Sequence, residues 1–315
     1  METEKIESQA RILANRVHKR FRHLSRRFRR QGIECFRLYD WDIPEVRAVV
    51  DWYAGHIVIA EYERRQTTPD WLPRMAQAVA GVLDIPLERA HMKRRRTKTE
   101  DQPRYGRMSS RGERFKARER NLYFWVNLDD FLDTGLYSDH RDTRVIVGKL
   151  AEGRDFLNLY GYTGAFTCAA AAGGAKTTVT VDRSDTYLKW ARDNLELNGL
   201  WGKQHSLIQS DAVKYLKQAQ HDGQRFNLAV VDPPSFFQDH GRGVSFDINR
   251  DHPALLKDVL KVMAAGSEVF FSTNHQCFSP RLEGLPIKKL VELTPATIPE
   301  DYRNRLAHRC WRLTT

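Results

Sequence analysis

One stretch constrains this chain more than any other: Phe156 to Ala175, FLNLYGYTGAFTCAAAAGGA. An apolar run feeds a turn in which Gly161 and Gly164 permit a tight bend and a close backbone approach to a ligand. The Ala-rich segment after it reads as a helix packed closely on a sheet. Val179-Thr180-Val181-Asp182 then supplies a second strand with a carboxylate at its tip. Strand, turn, helix and strand in that order specify a parallel α/β unit. A carboxylate at that tip can accept both hydroxyls of a ribose in the crevice of a doubly wound sheet. The glycines alone do not separate a ligand turn from a structural one, because short glycine motifs are common and dinucleotide sites use a similar acid.

The rest of the chain bounds the alternatives. At 315 residues, with no low-complexity tract, it can bury one large core or two smaller ones, and two domains are expected. Its apolar runs are strand-sized and its first residues, METEKIESQA, are acidic rather than signal-like, so the expectation is a cytoplasmic protein without a membrane span. Cys35, Cys168, Cys277 and Cys310 are scattered with no metal-ligand spacing. They read as buried or incidental thiols, and no metal is expected.

Charge is the second informative feature. Of the net +11, residues 1–31 hold ten Lys or Arg against three Glu, and residues 91–120 hold twelve against four acids. The basicity is concentrated in two segments, as a polyanionic partner such as a nucleic acid requires. In the first, Ile6, Leu13, Val17, Phe21, Leu24 and Phe28 recur at helical spacing, so residues 6–30 read as one amphipathic helix. Its basic face, with Arg20, Arg26, Arg27 and Arg30, is either a solvated face or a phosphate contact.

From Gly32 to about residue 134 the pattern turns to short β-rich runs with one helix over about 69–83, a small α+β module. Within it, between strands expected over about 90–95 and 122–127, residues 93–120 (KRRRTKTEDQPRYGRMSSRGERFKARER) read as a basic loop or hairpin tip that orders on a polyanion. Lys93, Arg94, Arg95, Arg96, Arg107 and Arg111 are its candidate phosphate contacts, and Tyr105 and Phe115 could stack on bases.

The third region, 135–315, is the Rossmann-like sheet. Before the glycine turn, Ser138, Asp139 and Arg141 are either part of a helix start or hold the charged tail of an amino-acid moiety. A cofactor with both a ribose and an amino-acid tail is S-adenosylmethionine (SAM). Asp211, after a third strand, suits the adenine amine and equally an N-cap of the helix that begins at Ala212. A fourth strand ends in Asp232-Pro233-Pro234-Ser235-Phe236-Phe237, where two prolines stop the strand and an aromatic offers a face to a planar base. Dehydrogenases have no need of that motif, and it moves the reading from hydride to methyl transfer. A fifth strand carries Asn274 and His275 at its mouth, and two late β segments form a terminal antiparallel pair.

GLYSDHRDTR, NLYGYTGAFTCAAAAGGA, VDRSDTYLKWARDNLELNGL, QSDAVKYL and VVDPPSF together resemble the class I SAM-dependent ribosomal RNA methyltransferases. The similarity is greatest to the guanine-N7 half of the bacterial bifunctional large-subunit (23S) rRNA methyltransferases of the K/L type, and it covers nearly the whole chain. The resemblance implies that Asn158, Tyr160, Gly161, Tyr162, Thr163 and Gly164 line the methionine and ribose side of SAM. Asp182, with Arg183 and Ser184 beside it, would take the ribose, and Asp211 and Ala212 the adenine. Asp232, Pro233, Pro234 and Phe236 would face the methyl acceptor, with Asn274 on its edge. A sister family makes 5-methylcytosine, but C5 of cytosine needs a thiolate at C6, and the corresponding place here is Ser272-Thr273-Asn274, with Cys277 a few residues beyond it and Cys168 inside the helix after the glycine turn, where a buried role is expected. Guanine N7 carries a free lone pair and needs only alignment and electrostatic support. The expectation is N7-methylation of rRNA, naked or in an assembling subunit. The alternatives are 5-methylcytosine formation and a non-catalytic, RNA-binding ribosome-assembly factor.

Overall fold

A computed structural model describes residues 2–63, 68–96, 109, 112–239 and 244–315, which divide into two compact units. The first comprises residues 1–138 with 300–303. Helix α1 (Glu2–Arg30) buries the stripe Leu13, Val17, Leu24 and Phe28 in one cluster with Trp71, Met75 and Val79 of α2 (Trp71–Leu83). Both helices serve a four-stranded sheet of β1 (Cys35–Asp40), β2 (Ala48–Tyr53), β3 (His56–Glu63) and β4 (Ala90–Arg96). Its order is β1-β2-β3-β4, antiparallel except for β3 with β4, which α2 connects. A separate hairpin pairs β5 (Phe115–Glu119) with β6 (Leu122–Val126).

That hairpin narrows the reading of 93–120 as a loop or hairpin tip. β4 runs into the basic segment to Arg96, and Phe115–Glu119 is a strand. In Phe-Lys-Ala-Arg-Glu the cations Lys116 and Arg118 alternate with the inward-facing Ala117 and Glu119, so a strand with a solvated face looks, in composition, like a loop. Tyr105, Arg107 and Arg111 lie outside the described residues.

The second unit comprises residues 139–299 and 304–315. After α3 (Arg141–Leu150) it alternates β7 (Asp155–Leu159), α4 (Ala165–Ala172), β8 (Thr177–Asp182), α5 (Asp185–Leu197), β9 (His205–Gln209), α6 (Ala212–His221) and β10 (Phe226–Val231). A hairpin, β11 (Phe236–Asp239) with β12 (Val244–Asp247), then leads to α7 (Ile248–Lys261), β13 (Met263–Thr273), β14 (Lys289–Glu292), α8 (Thr294–Thr297) and β15 (Arg309–Thr314). The seven-stranded sheet has the order β14-β15-β13-β10-β7-β8-β9. β13 to β9 are parallel, and β15 is antiparallel to both neighbours, the terminal pair expected from sequence. Such parallel strands are buried on both faces. Here Leu157, Leu159, Val231 and Phe271 fill one side, and Phe156, Leu228, Val230 and Phe270 the other.

Two details depart from the sequence pattern, which predicts a loop after the prolines and a helix over about 253–263. The segment after the prolines is a hairpin, and α7 begins at Ile248 rather than near Pro253, which lies inside it. Pro253 has no N–H for the Asn249 carbonyl, and the Arg281 guanidinium donates to that carbonyl instead. Strand order reverses between β7 and β10, the place where open α/β sheets put their ligands, beyond the carboxyl ends of the strands.

Candidate functional site

The turn from β7 to α4 is built by three left-handed residues, Tyr160 (φ 58°), Tyr162 (φ 49°) and Gly164 (φ 74°). Two non-glycine residues held at positive φ store local strain of the kind found at ligand sites. Gly161 serves packing rather than conformation: a Cβ there would collide with the Thr180 side chain. At Gly164 a Cβ would stand 2.7 Å from that of Ala191, so the glycine brings α4 against α5. Asn158 is buried and donates to the Thr167 hydroxyl at 3.0 Å, which in turn meets Thr180 at 2.6 Å. It braces β7, α4 and β8 from within. Thr163 is buried too, and its carbonyl accepts from Asn194.

Asp182 ends β8 and closes the turn. Its Oδ2 accepts from Tyr162 N at 2.9 Å and its Oδ1 from Ser184 N at 2.9 Å. Burial lifts its carboxyl above the usual range, while those backbone donors pull the other way. Arg183 N is a third backbone donor to it, and a carboxylate has about four acceptor positions, so acceptor capacity is left for a ribose hydroxyl. Ser184 caps α5, accepting from Tyr187 N, and the Arg183 guanidinium lies 5.0 Å over the Phe237 ring. Asp211 is the N-cap of α6, its Oδ1 accepting from Val213 N and Lys214 N at 3.0 and 3.1 Å; Ala212 behind it is buried. A tight turn, a carboxylate with spare acceptor capacity and a second carboxylate on the next strand end fit a nucleoside cofactor.

Across the reversal point, Asp232 ends β10. Its Oδ1 accepts from the Ser272 hydroxyl at 2.6 Å, its Oδ2 lies 3.7 Å from His140 Nε2, and its side chain is 30% exposed. Burial raises this carboxyl to about 6, opposed by the Ser272 hydrogen bond and reinforced by the Asp139 charge. His140 stacks on His308 with ring centroids 3.9 Å apart. His308 Nε2 lies 3.1 Å from the Thr297 hydroxyl, which is itself 3.0 Å from the Leu293 carbonyl. His308 Nδ1 faces Asp139 Oδ2 at 3.1 Å, within hydrogen-bond reach. Asp139, His140 and His308 bring ligand-type atoms within 4.8 Å of one another, with both His308 nitrogens already in hydrogen bonds.

Pro233 is buried, Phe236 is 48% exposed, and Asn274 is exposed. Arg141 is buried on the first turn of α3, and Ser138, in the first unit, meets the Tyr302 hydroxyl at 2.8 Å. Sequence reasoning missed His140, Ser272 and His308. His140 had a signal, sitting between two chosen residues; His308 had none, being brought in by the antiparallel return of the chain. Cys35, Cys168 and Cys310 are buried and Cys277 is exposed; burial pushes the Cys168 thiol up to about 12.

The candidate phosphate contacts lie in the first unit. Arg26 and Arg30 are exposed on α1, whereas Arg20 donates to the Asp301 carbonyl and Arg27 pairs with Glu300. Lys93 departs from expectation. Its ammonium is buried, donates to the Phe131 and Leu132 carbonyls at 2.7 and 3.0 Å, and is pulled by burial down to about 8, so it is not presented to a phosphate. Arg94 donates to Pro69 O and lies 3.6 Å from Glu61, and Arg95 lies 3.6 Å from Asp133; the side chain of Arg96 is outside the described set. Among the described residues no helix is long and apolar enough to cross a membrane.

Comparison with known proteins agrees with this geometry. Residues 45–285 match the S-adenosylmethionine-dependent methyltransferase family. SMU.776, solved in complex with SAH, superposes with a TM-score of 0.75 at 20% identity, over 96% of this chain and 82% of that one. A SAM-dependent methyltransferase from Agrobacterium tumefaciens gives 0.60 at 18% identity, covering 79% and 75%. A tRNA m1G37 methyltransferase from M. jannaschii gives 0.52 at 11% identity, covering 95% and 77%. At these identities the structures speak for the fold.

Proposed function

Because the chain belongs to the S-adenosylmethionine-dependent methyltransferase family, with SAM as its cofactor, we propose that it methylates RNA, at N7 of a guanine in large-subunit (23S) ribosomal RNA. SAM supplies an electrophilic methyl group. Asp182 accepts the ribose hydroxyls, Asp211 and Ala212 border the adenine, and Asp139 with Arg141 serve the amino-acid tail. The guanine leaves its stack at a cost of a few kcal/mol and lies against exposed Phe236, with Asn274 on its edge.

The observation that carries N7 is the composition of the acceptor side. The place where a 5-methylcytosine enzyme presents its thiol holds Ser272, Thr273 and Asn274. Cys310, the register partner of Ser272, is buried, and burial raises its thiol strongly. A ring nitrogen with a free lone pair needs no such nucleophile. The Asp232 carboxylate offers electrostatic support to the cationic product. Support for RNA comes from the two basic segments and from a structural neighbour named for a tRNA guanine methylation. Nucleoside mass spectrometry of rRNA treated with purified enzyme and labelled SAM should show 7-methylguanosine. Labelled 5-methylcytidine would refute the assignment.

A second reading has one specific observation in its favour. Asp232, 3.7 Å from His140, can accept from an N–H group, which suits the exocyclic amine of guanine. Labelled N2-methylguanosine in the same experiment would select it.

A further inference from the structure

The β5–β6 hairpin carries a surface that neither the cofactor site nor the basic helix explains. Its register pairs Lys116 with Trp125 and Arg118 with Tyr123. Side chains alternate along a strand, so these four share one face, while Ala117, Glu119, Leu122, Phe124 and Val126 turn inward and are buried. Lys116, Arg118 and Tyr123 are exposed, Tyr123 at 40%, and Trp125 is partly so. The Arg118 guanidinium sits 5.7 Å over the Tyr123 ring and that of Arg114 5.6 Å over Trp125.

A free two-stranded hairpin is marginal in water, but this one is held at its edge. Glu34 N donates to Arg118 O at 2.9 Å, Arg120 N to Gly32 O at 2.8 Å, and Arg118 N to the Glu34 carboxylate at 2.9 Å. Gly32 is at φ +69°, and a Cβ there would stand 2.6 Å from the Arg120 carbonyl, so the approach is set by the backbone. The result is a fixed, twisted ribbon showing two rings, about 7 Å apart along one strand, each with a guanidinium beside it. None of the four residues on that face is acidic. Rings set among cations on a strand face are the way sequence-tolerant single-strand binders work: bases stack on the rings and phosphates meet the cations.

We propose that this face is a base-stacking platform for single-stranded RNA, with Tyr123 and Trp125 each taking one base and Arg114, Lys116 and Arg118 the flanking phosphates. It rests on the RNA reading above and moves the aromatic contact from Tyr105 and Phe115, which the sequence suggested, to β6. Phe115 is engaged elsewhere, stacked on His56 at 4.4 Å.

The test is fluorescence anisotropy with the full chain and two labelled probes, a short mixed-sequence single-stranded oligoribonucleotide and an RNA duplex of the same length. Tyr123→Ala and Trp125→Ala should each weaken single-strand binding roughly 5- to 100-fold, with little change on duplex. Tyr123→Phe and Trp125→Phe should restore most of it. Arg118→Gln should lower affinity and make it less salt-dependent. Calorimetric SAM binding and thermal unfolding should match wild type in every variant, which separates loss of the platform from loss of the fold. If wild type binds RNA and both alanine variants bind it equally well, or lose duplex and single strand alike, the platform is wrong while the RNA reading stands. If wild type binds neither probe at any salt concentration, both fall together.

Discussion

At the residue scale, Asp232 ties structure to chemistry most directly. Its carboxyl titrates near 6 in the folded protein, against a usual 3.8, because burial disfavours the charge. If the ionised form supports the acceptor, kcat/KM for RNA methylation should rise with pH through about 6, and Asp232→Asn should be slow and flat over that range. The stability consequence has a fixed sign. The folded state holds this proton more tightly than the unfolded chain, so wild type loses stability as pH rises from about 4 to about 6. Asp232→Asn lacks that slope, so its melting temperature relative to wild type should be higher at pH 8 than at pH 4, which calorimetry can check. The glycines of the turn make a second residue-scale prediction. Gly161→Ala must push Thr180 aside and Gly164→Ala must press on Ala191 at positive φ. Each should cost about 1–3 kcal/mol in urea unfolding. An unchanged midpoint for Gly161→Ala would contradict the close packing against β8.

At the scale of elements, capping and helix docking can be measured apart from catalysis. Asp211→Ala removes two hydrogen bonds to the first turn of α6 and should cost about 1 kcal/mol even without SAM. A further loss of SAM affinity by calorimetry would report the adenine contact separately. On α1, Leu24 is buried in the first unit's core, and Leu24→Ala should cost about 2–5 kcal/mol. α1 and the five parallel strands were legible because their apolar residues recur at 3.6 or run unbroken. β5 and the β11–β12 hairpin were not: in one, alternating charge resembled a loop, and in the other, prolines masked the short strands that follow them.

For the whole molecule, the charge distribution yields the remaining prediction. Arg26 and Arg30 are exposed on α1. Replacing either with Gln should weaken RNA binding uniformly across sequences and reduce the slope of log affinity against log salt by about 1, measured by anisotropy titration. A salt-independent affinity would instead argue that the basic helix serves solubility. Net charge of +11 makes the long-range attraction available, but only the placement of individual side chains decides which cations are on offer. Lys93 is spent on two carbonyls, Arg27 on Glu300, and Arg20 on the Asp301 carbonyl.

What the amino-acid order determined by itself was local: a glycine turn between a strand and a helix, acids at successive strand ends, prolines that stop a strand, a helix amphipathic over seven turns. Each is set by residues within a few positions of one another, where backbone sterics and side-chain periodicity leave little choice. Only the tertiary structure decided that Ser272 would donate to Asp232, that His308 would stack on His140, and that two aromatics of β6 would stand in line with two cations of β5. Those meetings depend on sheet register and on the antiparallel return of the last strand. Register is settled by burial summed over a whole face, and no short stretch of sequence records it.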